Sequence, residues 1–216
     1  MVLHEEKLTL YLESLIPAES EGIRDMEEYA KKNQVPIMEK SGIHVMLQLL
    51  RLHSPAKILE IGTAIGYSAI RMASVLPEAE IITIERDEER YSEAIKRIEE
   101  AGLSNRIKVL FGDALELSEQ VALEKPFDAL FIDAAKGQYQ RFFNLYELML
   151  GEKGLILTDN VLFKGLVAEE QDKIESKRIR SLVGKIHYYN EWLMAHPDYD
   201  TSIIPVGDGI ALSIKK

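Results

Sequence analysis

The apolar positions of this chain follow two different patterns. Up to about residue 53 they recur at helical spacing, which predicts helices over 5–15, 19–33 and 41–53. From Lys57 onward, short apolar runs alternate with helical stretches. Strands that alternate with helices usually form a mostly parallel sheet covered on both faces. The pattern therefore predicts an α/β fold preceded by additional helices.

The alternating part of the chain predicts seven strands. They are expected over 57–61, 80–84, 106–111, 127–132, 155–158, 201–205 and 209–214. Later helices are expected over 87–101, up to 124, over 138–150, and from about 185 to 195 after a polar, basic stretch. A short turn with Gly207 and Asp208 joins the last two strands, which predicts a hairpin and an antiparallel final strand.

Composition narrows the class of protein. A chain of 216 residues with 46% apolar residues fits one globular domain. It has no apolar run long enough for a membrane span, no N-terminal pattern of a secretion signal and no cysteine. A cytoplasmic location is the simplest prediction. The net charge of −10 argues against non-specific nucleic-acid binding.

A glycine-containing turn follows the first strand. Gly62 and Gly66 leave backbone N–H groups and a helix N-terminus open to a ligand, although such turns also serve as plain connections. The chain lacks the Gly-x-Gly-x-x-Gly spacing of dinucleotide sites and the Gly-Lys-Ser/Thr of phosphate loops. Glu60, just before the turn, suits a cationic nucleoside without phosphate, such as S-adenosylmethionine (SAM).

Acidic or amide side chains follow four consecutive strands: Glu85, Asp113, Asp133 and Asp159-Asn160. A single Asp in this position often caps a helix, but four in succession predict a ligand site at the carboxyl edge of the sheet. The carboxylate after the second strand is placed to bind a ribose diol.

The last of these acids predict a metal site. Asp133, Asp159 and Asn160 offer three hard oxygen ligands from adjacent strand ends, which suits Mg²⁺. Lys136 lies three residues beyond the first of them. Close to a divalent cation its pKa should fall, so it can act as a general base; without the metal it is an ordinary loop lysine.

Four segments together resemble the SAM- and Mg²⁺-dependent O-methyltransferases, which include the catechol and caffeoyl-CoA O-methyltransferases. They are residues 58–68, 131–136, 158–161 and 207–209. The resemblance covers nearly the whole chain and implies a Rossmann-like methyltransferase fold with seven strands, the last antiparallel. It also implies a helical cap over 1–53, a SAM-binding catalytic core over 54–216, and a homodimer.

The turn and the resemblance together predict the following contacts to SAM: Met38, Glu60, Gly62, Ser68, Glu85, Asp113, Ala114 and Asp133. Within this set the resemblance implies that Met38 closes over the cofactor. It also implies that Glu85 holds the ribose and that Asp113 and Ala114 border the adenine. For the chemistry it implies that Asp133 contacts both SAM and the metal, and that Lys136 is the base.

Two acceptors with vicinal oxygens remain open. Residues 159–165 resemble most the bacterial tRNA 5-hydroxyuridine methyltransferases, which implies wobble 5-hydroxyuridine as acceptor and 5-methoxyuridine as product. Its 5-hydroxyl and 4-oxo oxygens can chelate a metal as a catechol does, and small catechols or phenols are the alternative. A basic segment then either contacts RNA phosphates or is a solvated surface; it consists of Lys173, Lys177, Arg178, Arg180 and Lys185.

Two other classes of function also remain. A dinucleotide-dependent oxidoreductase is disfavoured by the missing glycine spacing and the additional acids. A SAM- or RNA-binding module without activity is disfavoured by the intact candidate metal ligands and Lys136. Tyr188, Tyr189 and Trp192 either stack on a base or, as is commoner, pack in the core or at a dimer face.

Overall fold

The computed structural model describes residues 2–216, without the side chains of residues 2–6 and 171. The prediction that the N-terminus lacks a secretion signal rests on residues 1–6, which lie outside the described side chains. Over the described part, seven strands form one sheet in the order β3-β2-β1-β4-β5-β7-β6. The strands are β1 (Lys57–Ile61), β2 (Glu80–Glu85), β3 (Ile107–Phe111), β4 (Phe127–Ile132), β5 (Leu150–Thr158), β6 (Tyr199–Ile204) and β7 (Ile210–Lys215).

Strand directions follow the predicted pattern. Strands β1 to β5 pair in parallel, whereas β7 pairs antiparallel with both β5 and β6. This confirms the mostly parallel, seven-stranded sheet with an antiparallel last strand. Because β6 runs with the parallel strands, its carboxyl end lies at the same edge of the sheet as theirs.

Helices surround the sheet on both faces. They are α1 (Val2–Leu15), α2 (Glu21–Asn33), α3 (Lys40–His53), α4 (Tyr67–Val75), α5 (Glu88–Glu100), α6 (Ser118–Ala122), α7 (Tyr139–Tyr146) and α8 (Lys177–Met194). Two of these bounds differ from the prediction. The helix predicted over 138–150 ends earlier, because Leu150 pairs with Phe127 and already begins β5. The last helix begins at Lys177 rather than near 185, because the Ser176 hydroxyl accepts the Ile179 N–H at 3.4 Å and caps it.

The two faces of the sheet bury two hydrophobic clusters. Ile58 belongs to the cluster that includes α3 and α4, and its neighbour Leu59 belongs to the cluster that includes α7 and α8. Successive strand residues point to opposite faces, which explains this division. Each fully buried aliphatic side chain stabilises the fold by roughly 1.5–3 kcal/mol. Among the described helices, none has the length and apolar character required to cross a membrane.

The hairpin between β6 and β7 reaches the carboxyl edge of the parallel strands. There the Val161 N–H donates to the Gly209 carbonyl at 3.1 Å, and the Leu162 N–H donates to the Asp208 carbonyl at 2.9 Å. Gly209 has a φ of +87°, and a Cβ at this position would lie 2.4 Å from the Leu162 side chain. The late hairpin is therefore held directly against the segment that follows β5.

Candidate active site

A cavity of about 950 Å³ opens at the carboxyl edge of the sheet. Its walls come from the ends of the parallel strands, from residues 36–39, from residues 207–208 and from one face of α8. This volume lies within the range of small-molecule and cofactor sites. The position agrees with the rule that ligands of open α/β sheets bind beyond the strand ends.

We call one side of this cavity the glycine-turn half; it contains Met38, Gly62, Ala64, Glu85, Asp113 and Ala114. Glu85 organises this half. One of its carboxylate oxygens accepts the N–H groups of Arg86 and Asp87, both at 2.9 Å, and the other accepts the Ala64 N–H at 2.8 Å. The predicted ribose ligand therefore also holds the glycine turn in place.

Asp113 and Ala114 lie next to Glu85 at the end of β3. One Asp113 oxygen accepts the Leu115 N–H at 2.9 Å, and its carboxylate pairs with Arg86 at 3.7 Å. The Ala114 carbonyl accepts the buried Tyr146 hydroxyl at 2.5 Å. The structure therefore brings the residues predicted to border the adenine together with the residue predicted to hold the ribose.

Glu60 and Ser68 occupy a different place from the other predicted cofactor residues. Glu60 is fully buried beneath the glycine turn, where its oxygens accept the hydroxyls of Ser68 and Thr83. Burial raises the pKa of Glu60 to about 7, although the two hydroxyl donors lower it in part. These two residues bond to each other rather than lining the cavity, so any effect on SAM would act through the turn.

We call the other side the carboxylate half; it contains Asp133, Lys136, Asp159, Asn160 and Asp208. Asp133 and Asp159 follow adjacent strands, since their N–H groups donate to Ile61 and Ile132 at 2.9 and 3.0 Å. The Asn160 amide donates to Asp159 at 3.0 Å, and the Lys136 ammonium donates to the Asn160 side-chain oxygen. The three predicted metal ligands and the predicted base are therefore together.

The electrostatics of this half favour a cation. Burial raises the pKa of Asp133 and of Asp159, and the charge of Asp133 raises that of Asp159 further. Burial lowers the pKa of Lys136, whereas the nearby carboxylates oppose this shift. Two carboxylates and one amide oxygen are hard donors, so they fit Mg²⁺. Among the described residues, no group of three or more His, Cys, Asp or Glu side chains is placed to hold a metal ion, so the Asn160 oxygen would be the third protein donor beside the two carboxylates.

Several cavity residues were not singled out by the sequence as site residues: Glu39, Phe163, Lys164 and, apart from its motif, Asp208. They meet through the β6–β7 hairpin. Asp208 accepts the Lys164 N–H, and together with burial it raises the pKa of Glu39. The proximity of Glu39, Lys164 and Asp208 could not be seen in the local sequence, because it depends on how strand β7 pairs with β5 and β6.

The aromatic residues of α8 divide by environment. Tyr189 is buried, its hydroxyl bonds with that of Thr158 at 2.9 Å, and its ring stacks on Trp192 with centroids 5.8 Å apart. Trp192 meets Phe143 edge-on at 4.9 Å. Tyr188 is exposed. Tyr189 and Trp192 thus pack in the core, which is the commoner of the two roles considered for them.

Comparison with known proteins of similar sequence and structure agrees with this arrangement of the site. The O-methyltransferase family model matches residues 13–216. The catechol O-methyltransferase of Niastella koreensis is 38% identical over 180 residues, which cover 79% of this chain and 78% of that protein.

Two solved structures share the fold. A Staphylococcus aureus protein, provisionally named a caffeoyl-CoA O-methyltransferase, is 36% identical with a TM-score of 0.88 and full coverage of both chains. The Bacillus cereus O-methyltransferase in complex with SAH is 25% identical with a TM-score of 0.82, and 97% of each chain is covered. On the extent of the family match and the arrangement of the site, the chain belongs to the O-methyltransferase family.

Proposed function

We propose that this protein transfers a methyl group from SAM to one of two vicinal oxygens of its acceptor, with Mg²⁺ held by Asp133, Asp159 and Asn160. The contact between the two halves of the cavity carries the proposal. A Cβ on Gly62 would lie only 2.0 Å from the Asp133 carbonyl oxygen. The glycine turn and the carboxylate half are therefore in direct contact, so a methyl donor on one side and a chelated acceptor on the other would be neighbours.

The similar proteins support SAM as the methyl donor and an acceptor with vicinal oxygens. The Bacillus cereus structure contains SAH, the product that SAM leaves after methyl transfer, which supports SAM as the donor here. The relative from Niastella koreensis is named for catechol, an acceptor with two vicinal oxygens. The proposal of Mg²⁺ is supported by the donor set and by the electrostatics of the carboxylate half.

Each residue of the carboxylate half has a distinct task in this mechanism. When bound, SAM supplies an electrophilic methyl group and Mg²⁺ supplies positive charge beside the acceptor oxygens. Lys136, whose pKa burial lowers, accepts the proton of the acceptor hydroxyl at Nζ. The Lys136 ammonium donates to the Asn160 side-chain oxygen, so Nζ lies directly beside the proposed metal ligands. The close contact at Gly62 sets the distance between the glycine-turn half and the carboxylate half. Such positioning of the reacting groups supplies much of the rate acceleration.

Two acceptors fit this chemistry. The first is 5-hydroxyuridine at the wobble position of tRNA. The cavity wall formed by Arg178 and Lys185, two residues of the basic segment, supports it. The second is a small catechol, which the Niastella koreensis relative supports. Both present vicinal oxygens to the same residues.

We also propose that the protein is a cytoplasmic homodimer, as the family resemblance implies. Helix α1 exposes apolar side chains that a second copy would cover: Leu8, Leu10, Tyr11, Leu12 and Leu15. Sedimentation equilibrium gives the test, since a single monomeric species at micromolar concentration would contradict the dimer.

One experiment tests the reaction and its base. Transfer from labelled SAM with Mg²⁺ is measured onto tRNA carrying 5-hydroxyuridine and, separately, onto catechol. Lys136→Met should lower turnover by about 10²- to 10⁴-fold, since the general base is lost. Binding of SAM, measured by calorimetry, should stay within about twofold. Lys153→Met, which removes an exposed lysine on β5, serves as the control.

The outcomes separate the alternatives. Labelling of tRNA with weak labelling of catechol identifies the RNA acceptor, and the reverse identifies the small-molecule acceptor. Turnover of Lys136→Met equal to that of the wild type would remove Lys136 from the mechanism. Transfer that is unaffected by chelators of divalent cations would remove the metal.

A further inference from the structure

We propose that one wall of this cavity selects acceptors that carry a phosphate or another anionic group, and that Arg178 and Lys185 bind this group. The inference rests on the proposed function, because it assumes that the methyl acceptor occupies the cavity. It adds a determinant of specificity that the metal site does not supply, since vicinal oxygens are common to charged and neutral acceptors.

The wall is one face of α8. Arg178, Ser181, Leu182 and Lys185 all line the cavity, and their spacing of three, four and seven residues places them on one side of the helix. The helix is anchored through an adjacent face, where Val183, Ile186 and Tyr189 are among the buried residues. Anchoring in the core thus leaves the stripe with the two cations facing the cavity.

Lys185 is close to the reacting end of the cavity. A Cβ on Gly137 would lie 3.6 Å from the Nζ of Lys185. Gly137 follows Lys136, the proposed base. The ammonium of Lys185 therefore lies beside the loop that carries the base, and Arg178 lies two helical turns away along the same stripe.

The neighbouring basic residues have other roles. Lys173 pairs with Glu170 at 3.1 Å, and the Arg180 guanidinium donates to the Ile174 carbonyl at 2.7 Å. Among the described residues, no carboxylate lies within ion-pair distance of Arg178 or Lys185. Their charges are therefore available to a ligand. Of the basic segment identified in the sequence, only Arg178 and Lys185 line the cavity.

Helix stability does not explain the two cations. Arg178 lies in the first turn of α8, where a positive charge opposes the helix dipole. Lys185 lies in the middle of the helix, where no such term favours it. The helix dipole therefore gives no reason for a cation at either position.

Other charges in the cavity limit where an anion can bind. Glu39 and Asp208 accompany Lys164 near the hairpin, so that corner has little net positive charge. Arg86 and Arg90 line the glycine-turn half, and Arg86 is paired with Asp113. The α8 wall is therefore a cationic surface beside the loop that carries Lys136. An acceptor would place its vicinal oxygens at the carboxylate half and its anionic group against α8.

Two pairs of acceptor probes test this wall. The first pair is 5-hydroxyuridine and its 5′-monophosphate, and the second is 4-methylcatechol and 3-(3,4-dihydroxyphenyl)propionate. Within each pair the members share the reacting oxygens and differ mainly in one anionic group. The ratio of kcat/KM, anionic over neutral, is measured with the wild type, with Arg178→Gln/Lys185→Gln and with the control Lys173→Gln/Lys177→Gln. The control removes the same charge from the same segment but away from the cavity.

We expect the wild type and the control to prefer the anionic member of at least one pair by about tenfold, mainly through KM. In Arg178→Gln/Lys185→Gln the ratio should fall to about one. Arg178→Glu/Lys185→Glu should invert the preference. A preference in the first pair alone identifies a nucleotide phosphate, and one in the second pair alone identifies a small anionic phenol.

Two results would overturn the assignment in different ways. Methyl transfer onto the probes with equal ratios in the wild type and in Arg178→Gln/Lys185→Gln would refute the α8 wall and leave the proposed function intact. Absence of transfer onto all four probes and onto tRNA carrying 5-hydroxyuridine, with SAM and Mg²⁺ present, would refute the proposed function and this assignment with it.

Discussion

Both halves of the cavity contain carboxylates from strand ends, but the surroundings of these carboxylates differ. In the glycine-turn half, Glu85 accepts three backbone N–H groups, and Asp113 accepts one and pairs with Arg86. In the carboxylate half, burial raises the pKa of Asp133 and of Asp159, and the charge of Asp133 raises the pKa of Asp159 further. The carboxylates of the glycine-turn half thus have fixed hydrogen-bond donors in the folded protein, whereas those of the carboxylate half are desolvated and only partly offset by Lys136.

This difference indicates what each half binds. A carboxylate whose charge is already satisfied by fixed donors is rigid and suits an uncharged hydroxyl partner, such as a ribose. A pair of desolvated carboxylates suits a divalent cation, which offsets both charges at once. This comparison is tested by substitutions that alter one carboxylate, or the contact between the two halves, at a time.

The largest effect is expected from Asp159→Asn, which removes one charge of the pair without changing its shape. Methyl transfer should fall by about 10³-fold or more, because the cation loses a charged ligand. The stabilisation of the fold by Mg²⁺ in thermal unfolding should disappear. Without Mg²⁺ the variant should be at least as stable as the wild type, because repulsion from Asp133 is gone. Retained Mg²⁺-dependent turnover would place the metal elsewhere.

Gly62→Ala should disrupt the join between the halves. Its Cβ would meet the Asp133 carbonyl oxygen at 2.0 Å, and Gly62 has a φ of +106°. We expect a loss of at least about 3 kcal/mol in the free energy of unfolding, measured in urea, from strain and overpacking together. Gly102→Ala is a matched control, because Gly102 also has a positive φ but its Cβ would meet nothing within 4 Å. It should lose only about 1 kcal/mol. Equal losses in the two variants would contradict the close approach.

Glu60→Gln extends the comparison to a third kind of environment. Glu60 is a buried carboxylate whose hydrogen-bond donors are hydroxyl groups rather than backbone N–H groups. The folded-state pKa of about 7 lies above the ordinary 4.5, so the folded protein binds this proton more tightly than the unfolded chain. The free energy of unfolding of the wild type should therefore fall as the pH rises from about 4.5 to 7. The glutamine variant should lack this fall and be more stable above pH 7 by about 3 kcal/mol.

Denaturation at pH 5 and pH 8 measures this difference. Glu78→Gln, an exposed position, should behave as the wild type at both pH values. An unchanged pH dependence in Glu60→Gln would show that Glu60 is ionised in the folded state throughout this range.

Glu85→Gln should give the smallest of these effects. The amide would replace one acceptor of the ribose and of the turn by a donor, so SAM affinity should fall by about 30-fold, which corresponds to about 2 kcal/mol. Calorimetric titration with SAM measures the loss, and Mg²⁺ should still stabilise the variant. Asp87→Asn keeps its role as the cap of α5 and should bind SAM as the wild type does. A loss of Mg²⁺ stabilisation in Glu85→Gln would show that the halves are not separable.

The positions of the strands along the chain and the polar residues at their ends could be predicted because both depend on local signals. Apolar runs set the strands, and polar residues directly after them must meet at the carboxyl edge of a parallel sheet. Glu85, Asp113, Asp133 and Asp159 lie at the cavity for this reason.

The placement of Glu60 could not be predicted in this way. In β1, four of the five residues are buried, so the strand lacks the alternation that would show where each side chain points. The start of α8 was hidden because cations rather than apolar residues fill its first turn, and the stripe that faces the cavity was hidden with it. The meeting of Glu39 with Asp208 depends on long-range pairing, for which the sequence has no local sign.

The position of β7 between β5 and β6 has a consequence for synthesis. Strand β7 must enter between two strands that are made before it, so the edge of β5 stays unpaired on the nascent chain until β7 is made. Such an edge invites association with other chains, and chaperones would be needed most at this stage. A translation-arrested chain that stops before Ile210 would contain the glycine turn and Asp159 but not the strand that holds the hairpin in place. Methyl transfer should therefore begin only after β7 has left the ribosome and paired with β5.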